Sequence, residues 1–137
     1  MSSTAEPVRS LITRPAVFVH LDDSLRRLAG ILTEESIGAA VVRGTSPIAL
    51  VSERDVVRAL AEGASPDTTT VREVMTEDVA VAEPREPAAD VMARMLDNEI
   101  RHVPVVDDGV VIGMVSARDV LASAAAVSSP ARDGTRG

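Results

Sequence analysis

Apolar and polar positions follow one another along this chain in an order that occurs twice. Each copy has a short extended apolar segment, a segment with apolar residues at helical spacing, two short apolar runs, and a second helical segment. In the first copy these patterns fall at residues 16–19, 25–32, 39–42, 48–51 and 56–60, and in the second at 79–82, 88–96, 103–106, 110–115 and 120–124. The pattern predicts the order β-α-β-β-α, twice.

Local signals mark the ends of several predicted elements. Asp23 or Ser24 is placed to cap the first helix, because short polar side chains accept hydrogen bonds from the free N–H groups at a helix start. Gly63 is suited to end the second helix. Asp108 and Gly109 form a dipeptide typical of two-residue hairpin turns, so the two strands of the second copy are predicted to pair.

An internal repeat underlies this double pattern. Residues 8–13 match residues 71–76 at a shift of 63 positions, and residues 51–56 match residues 115–120 at a shift of 64. The similarity extends over about fifty residues per copy, with one single-residue slip in a loop. One structural unit, built twice, explains this.

The repeat predicts an α+β fold with repeat 1 at residues 8–63, a linker at 64–70 and repeat 2 at 71–127. The linker is rich in Ser, Pro, Asp and Thr, which is typical of turns. Residues 128–137 are small, polar and punctuated by Gly and Pro, and are expected to form a disordered tail. One repeat has few apolar positions, so the two are expected to associate about a pseudo-twofold axis that leaves a cleft between them.

Composition excludes several classes of function. The 137 residues include no Cys, Trp, Tyr or Lys, and Phe18 is the single aromatic residue. Without cysteine there are no disulfides, thiolate catalysis or cysteine zinc sites. The net charge of −7 and the lack of aromatic residues argue against a nucleic-acid binder. No segment resembles a targeting sequence or a membrane span, so we expect a cytoplasmic protein without membrane partners.

The repeated polar element lies where a strand leads into a helix, at residues 49–55 and 113–119. The N–H groups of a helix start and a serine hydroxyl suit a phosphate, and an arginine adds a bidentate cation. A carboxylate can accept hydrogen bonds from both hydroxyls of a ribose. The simpler interpretation is a capping box, in which each serine and aspartate satisfy the backbone of the helix start. The two interpretations are compatible, because a capped helix start can also face a ligand.

No pattern of residues indicates catalysis. The two histidines lie in different repeats, and His20 near Asp22 and Asp23 lacks a second histidine spaced for a metal site. Asp55 and Asp119 occupy equivalent junctions, which fits two binding sites better than an acid–base pair. We therefore expect no enzyme activity, no metal and no required cofactor.

These motifs resemble a pair of cystathionine-β-synthase (CBS) domains, also called a Bateman module. The resemblance rests on residues 71–76, 101–107 and 113–119, and it extends from Val8 to about Ala126. It implies that the aspartate of each junction binds the ribose hydroxyls of an adenosine nucleotide, and that the serine and arginine approach the phosphates. One candidate set is Asp119, Ser116 and Arg118, and the other is Asp55, Ser52 and Arg54.

The two copies differ at positions that the resemblance makes important. Gly113, which permits close backbone approach, is replaced by Ala49 in copy one. Arg101 and His102, expected to reach the phosphates, are replaced by residues 38–39, a glycine and an alanine. Copy two therefore ranks first as a site. His102 is either a pH-sensitive phosphate ligand or a packed or solvated histidine.

Two threonines complete the candidate set. Thr13 and Thr76 are expected either to contact the adenosine from the first strand of each copy or to cap turns before Pro15 and Asp78.

The resemblance predicts a stand-alone regulatory sensor that binds AMP, ADP or ATP, with NAD and S-adenosylmethionine derivatives ranked after them. It also implies a homodimer, whose arrangement the ligand shifts by binding one state more tightly. The alternative is a ligand-independent dimerisation scaffold that regulates a partner protein through its surface.

Overall fold

A computed structural model describes residues 5–128 and divides them into two compact units. Residues 16–79 form one, here called the central unit, and residues 5–15 with 80–128 form the other, here called the composite unit. Helices follow paired strands in both, so the predicted α+β architecture is confirmed. Between residues 5 and 128, no helix is long and apolar enough to cross a membrane.

The central unit contains a three-stranded sheet of order β1-β2-β3, in which β1 is parallel to β2 and β2 is antiparallel to β3. All four residues of β2 are buried, so this strand has a continuous apolar run. The elements are β1 (Phe18–Val19), α1 (Leu25–Glu35), β2 (Ala39–Val42), β3 (Ala49–Ser52), α2 (Glu53–Ala61) and α3 (Val71–Val74).

The composite unit contains the hairpin of β4 and β5 and two long helices. Asp108 and Gly109 have φ values of 51° and 79°, and two successive positive values are those of the predicted two-residue turn. The strand expected at 79–82 is reduced to a single parallel bridge between Ala82 and Val105. The elements are a 3₁₀ helix (Val8–Leu11), α4 (Ala88–Asn98), β4 (His102–Asp107), β5 (Val110–Ser116) and α5 (Ala117–Ser128).

The opening segment of each repeat packs in the core built mainly from the other repeat. Val8 is fully buried with the α4 and β4 side chains of the composite unit, and its N–H donates to the Glu86 carbonyl at 2.7 Å. Val71 is fully buried in the central unit, and its N–H donates to the Asp23 carbonyl at 2.9 Å. The repeats along the chain are therefore not the compact units in space.

Helix ends follow the sequence signals closely. Ser24 caps α1 by accepting from the N–H of Arg27 at 3.1 Å, while Asp23 accepts from the N–H of His20. Gly63, with φ of 94°, follows the end of α2. The expected tail at 128–137 lies outside the described residues, apart from Ser128 at the end of α5.

Candidate ligand-binding site

The junction between β5 and α5 places the first-ranked candidate residues together. The N–H of Ser116 donates to Asp119 Oδ2 at 2.9 Å, and the N–H of Asp119 donates to Ser116 Oγ at 3.1 Å. This reciprocal pair is the capping box that the simpler interpretation predicted. Asp119 is half-buried and Arg118 is exposed. Asp119 therefore holds the helix start with one carboxylate oxygen, and no described side chain bonds to the other.

The equivalent junction between β3 and α2 is more enclosed. The N–H and hydroxyl of Ser52 donate to Asp55 Oδ2 at 2.8 and 3.1 Å, and Asp55 is only 6% exposed. Arg58 Nη1 approaches Asp55 Oδ1 at 3.5 Å. Asp55 Oδ2 is thus held at the helix start, and the exposed Arg58 lies near Oδ1. A ribose that binds Oδ1 of Asp55 would compete with Arg58.

Arg58 is a residue that the sequence interpretation missed. It stands three positions after Asp55, the spacing at which helical side chains meet, and Ala122 stands at the equivalent position after Asp119. That difference is visible in the sequence. Asp55 has a cation one turn along its own helix, whereas Asp119 has an alanine at the equivalent position.

The formal charges at the two junctions also differ. Arg101 and Arg118 lie at the start of α5 with the carboxylate of Asp119, and the Arg101 carbonyl accepts from the N–H of Ala117 at 2.8 Å. At the start of α2, Gly38 stands in place of Arg101, and its carbonyl accepts from the N–H of Glu53 at 2.9 Å. The β5–α5 junction has two guanidinium groups and one carboxylate, whereas the other has a second carboxylate. Only the first has an excess of positive charge, which favours an anion.

Gly113 does provide a close approach, but to a side chain of the protein. A Cβ built at Gly113 would lie 2.6 Å from Ile12 Cγ2, so glycine is the residue that fits beside this isoleucine. In the central unit the corresponding pair is Ala49 and Met75, and Met75 packs against the cluster that contains Ala49. The difference between Gly113 and Ala49 therefore has a packing cause.

Each candidate threonine lies in the unit that is built mainly from the other repeat. Thr76 belongs to the central unit, where it forms a backbone bridge with Leu50, and Thr13 belongs to the composite unit. Neither lies in a strand of its own repeat, because the opening segments are exchanged between the cores. Thr13 is exposed and shares its unit with Ser116 and Asp119. Thr76 shares the other unit with Ser52 and Asp55.

The remaining candidates are a histidine and two arginines. His102 is half-buried at the start of β4, opposite Ser116 in the strand pairing, while Arg101 and Arg54 are exposed. Within residues 5–128, no group of three His, Asp or Glu side chains could hold a metal ion. In particular, Asp22 accepts a hydrogen bond from Arg72 at 3.0 Å.

The CBS domain family profile matches twice, at residues 8–62 and 71–126. The mitochondrial CBS domain-containing protein CBSX3 of Arabidopsis thaliana is 34% identical over 107 residues, which cover 73% of this chain and 52% of CBSX3. The chain spans about half the length of the curated relatives it matches first.

Two solved structures of CBS domains are similar in fold. The CBS domain structure of NE2398 has a TM-score of 0.80 at 30% identity, covering 88% of this chain and 98% of that one. The CBS domain pair of protein MJ0100, in complex with 5′-methylthioadenosine and S-adenosyl-L-methionine, has a TM-score of 0.77 at 28% identity, covering 85% and 97%. The double profile match, the repeated strand–helix junctions and these structures show that the chain belongs to the CBS domain family, as a tandem pair of the Bateman type.

Proposed function

We propose that this chain is a regulatory module that binds an adenosine nucleotide, AMP, ADP or ATP, at the β5–α5 junction. The proposal rests on the carboxylate oxygen of Asp119 to which no described side chain bonds, at a junction whose backbone includes two exposed arginines, Arg101 and Arg118. The carboxylate accepts hydrogen bonds from the ribose hydroxyls, and Arg101 and Arg118 bind the phosphates. Thr13, His102 and the hydroxyl of Ser116 lie in the same unit as secondary contacts.

The MJ0100 pair supports the choice of an adenosine ligand, because its structure holds two adenosine compounds. A phosphate distinguishes the nucleotides from those compounds. The excess positive charge at the β5–α5 junction favours the phosphorylated ligands. Because the chain has almost no aromatic residues, the base packs against aliphatic side chains and backbone.

The first experiment uses the composition of the protein. With no Trp or Tyr, purified protein is nearly transparent in the near ultraviolet, so a purine band in a nucleic-acid-free sample reports a bound ligand. Calorimetric titration of the purified chain with AMP, ADP, ATP, 5′-methylthioadenosine and S-adenosylmethionine then ranks the ligands. Failure of all five to bind contradicts the proposal.

The assigned ribose contact is tested by Asp119→Asn, which keeps an acceptor for the capping box and removes the charge. The loss of a charge-assisted hydrogen bond, worth about 1.5–3 kcal/mol, should weaken nucleotide binding by about 10- to 100-fold. Asp97→Asn is the matched control, because Asp97 is an exposed residue of α4 in the same unit and the change in net charge is equal. Equal affinities for the two variants contradict the role of Asp119.

A dimeric state has separate support. Val57 on α2 is 66% exposed, and Leu121, its equivalent on α5, is 61% exposed. Both repeats thus leave an apolar side chain uncovered at the same place, and a second copy would cover them. We expect sedimentation to show a homodimer and Leu121→Glu to shift it toward monomer. If the wild type dimerises and binds no adenosine ligand, the scaffold function is favoured over the sensor.

A further inference from the structure

The two repeats differ in how the outer edge of the strand before the candidate site is used. In the central unit, the N–H of Leu50 donates to the Thr76 carbonyl at 3.0 Å, and the N–H of Thr76 donates to the Leu50 carbonyl at 2.8 Å. These two bonds close the edge of β3. No such bridge joins Thr13 to Met114, the residue equivalent to Leu50, among the residues that the structure describes.

The strand pairing shows which way the Met114 backbone points. Met114 lies opposite Pro104 in the antiparallel pair, and the Pro104 carbonyl accepts from the N–H of Ala82 at 3.0 Å, away from β5. Residues opposite one another in a pair that does not exchange hydrogen bonds direct their backbone groups to opposite edges. The N–H and C=O of Met114 therefore point outward, where no described residue bonds to them.

These open groups lie on the strand that leads to Asp119. Met114 is two residues before Ser116, about 6.6 Å along the strand, and the N–H of Ser116 is bonded to Asp119. Met114 and Asp119 therefore belong to one strand–helix junction. In the central unit both features are closed, because Thr76 occupies the strand edge and Arg58 approaches the carboxylate.

We propose that one nucleotide binds per chain, in the composite unit, and that the outward N–H and C=O of Met114 hydrogen-bond to its base. This inference rests on the proposed function. Adenine matches such a pair, because its N1 accepts a hydrogen bond and its 6-amino group donates one. An added peptide strand needs a longer row of open groups, and here the next outward N–H, that of Ser116, is already held by Asp119.

The test is a double-mutant cycle between the protein and the ligand, measured by calorimetric titration of the full chain. Met114→Pro removes the outward N–H without removing a bond to β4, because that N–H does not face β4. Met114→Leu is the reference, since it changes the same side chain and keeps the N–H. The ligand is AMP or 1-deaza-AMP, in which a C–H replaces N1. Thermal unfolding confirms that both variants are folded.

We expect one AMP per wild-type chain. Met114→Pro should weaken AMP about 2- to 10-fold relative to Met114→Leu, the effect of one neutral hydrogen bond. The same substitution should leave 1-deaza-AMP unchanged, because its bonding partner on the ligand is absent. Ribose 5-phosphate, which has no base, should bind the two variants equally.

Two results overturn this inference while the proposed function stands: two AMP molecules per chain, or an equal effect of Met114→Pro on AMP and 1-deaza-AMP. If Met114→Pro does not fold, the comparison of AMP with 1-deaza-AMP on the wild type decides, and equal affinities overturn the inference. Absence of AMP binding by the folded wild type overturns both.

Discussion

Replacing Gly113 with alanine should destabilise the composite unit, because the added methyl group has no space. Its Cβ would lie 2.6, 2.8 and 3.0 Å from Ile12 Cγ2, Cδ1 and Cγ1. Carbon atoms pack best at about 3.5–4.0 Å, and a β-branched side chain has few rotamers in which to move away. Overpacking of this kind costs about 1–3 kcal/mol. For a chain of this size, the melting temperature should fall by about 3–12 °C.

The assay is urea unfolding followed by far-ultraviolet circular dichroism, since the chain has no Trp or Tyr for fluorescence. Gly30→Ala is the matched control, because Gly30 lies inside α1 and its Cβ would meet nothing within 4 Å. There the same change should stabilise the protein by about 0.5–1 kcal/mol, through the higher helix propensity of alanine. The comparison separates steric overlap from the general effect of replacing glycine.

The same substitution in a protein that carries Ile12→Ala tests whether Ile12 is the residue that clashes. In Ile12→Ala protein the clashing atoms are absent, so adding Gly113→Ala should cost little, and the coupling energy should be about 1–3 kcal/mol. A Gly113→Ala protein that is as stable as the wild type would show that Ile12 does not limit the space at residue 113. An equal loss of stability in the Ile12→Ala background would show the same.

Three further substitutions test other features. The Ser24 hydroxyl caps α1 by accepting a hydrogen bond from the N–H of Arg27. Ser24→Ala removes this cap and should lower the free energy of unfolding, measured by urea titration, by about 1 kcal/mol. The hydrogen bond from Arg94 lowers the pKa of Glu86 in the folded protein. The bond therefore stabilises the fold above the ordinary carboxyl pKa, and this stabilisation is lost as the pH falls through the lowered pKa of the folded state. Glu86→Gln should therefore cost about 1 kcal/mol in urea near neutral pH and nothing in strong acid; a cost that does not change with pH contradicts this. Gly109→Ala meets no atom within 4 Å but has φ of 79°, so backbone strain alone should lower stability by about 1–2 kcal/mol.

Local features of the fold could be predicted because nearby residues determine them. The Asp108–Gly109 turn needs two positive φ values, and the boxes at Ser52 and Ser116 close between residues three apart. The exchange of the opening segments could not be predicted in this way. Val8 and Val71 occupy equivalent positions in similar sequences, and either core offers an apolar environment to either residue.

The residue types of the candidate site could be predicted from the sequence. Which of their polar groups are open to a ligand could not. Both repeats have Ser, Arg and Asp at the junction, and the sequence ranks the second copy first only through Gly113, Arg101 and His102. Their difference depends on Arg58, one helical turn from Asp55, and on the bridge between Leu50 and Thr76. The position of Arg58 was visible in the sequence. The bridge was not, because it joins residues 26 positions apart.

The exchange of opening segments sets an order for folding during synthesis. Every residue of the central unit is present once residue 79 has left the ribosome, so this unit can form while the rest is being made. The segment at residues 5–15 is made first, yet Val8 has no core to enter until α4, β4 and β5 follow. Residues 5–15 therefore precede the central unit in synthesis, yet are buried only after that unit can form. Until then the apolar residues of this segment are open to chaperones and proteases, for as long as translation of residues 80–128 takes.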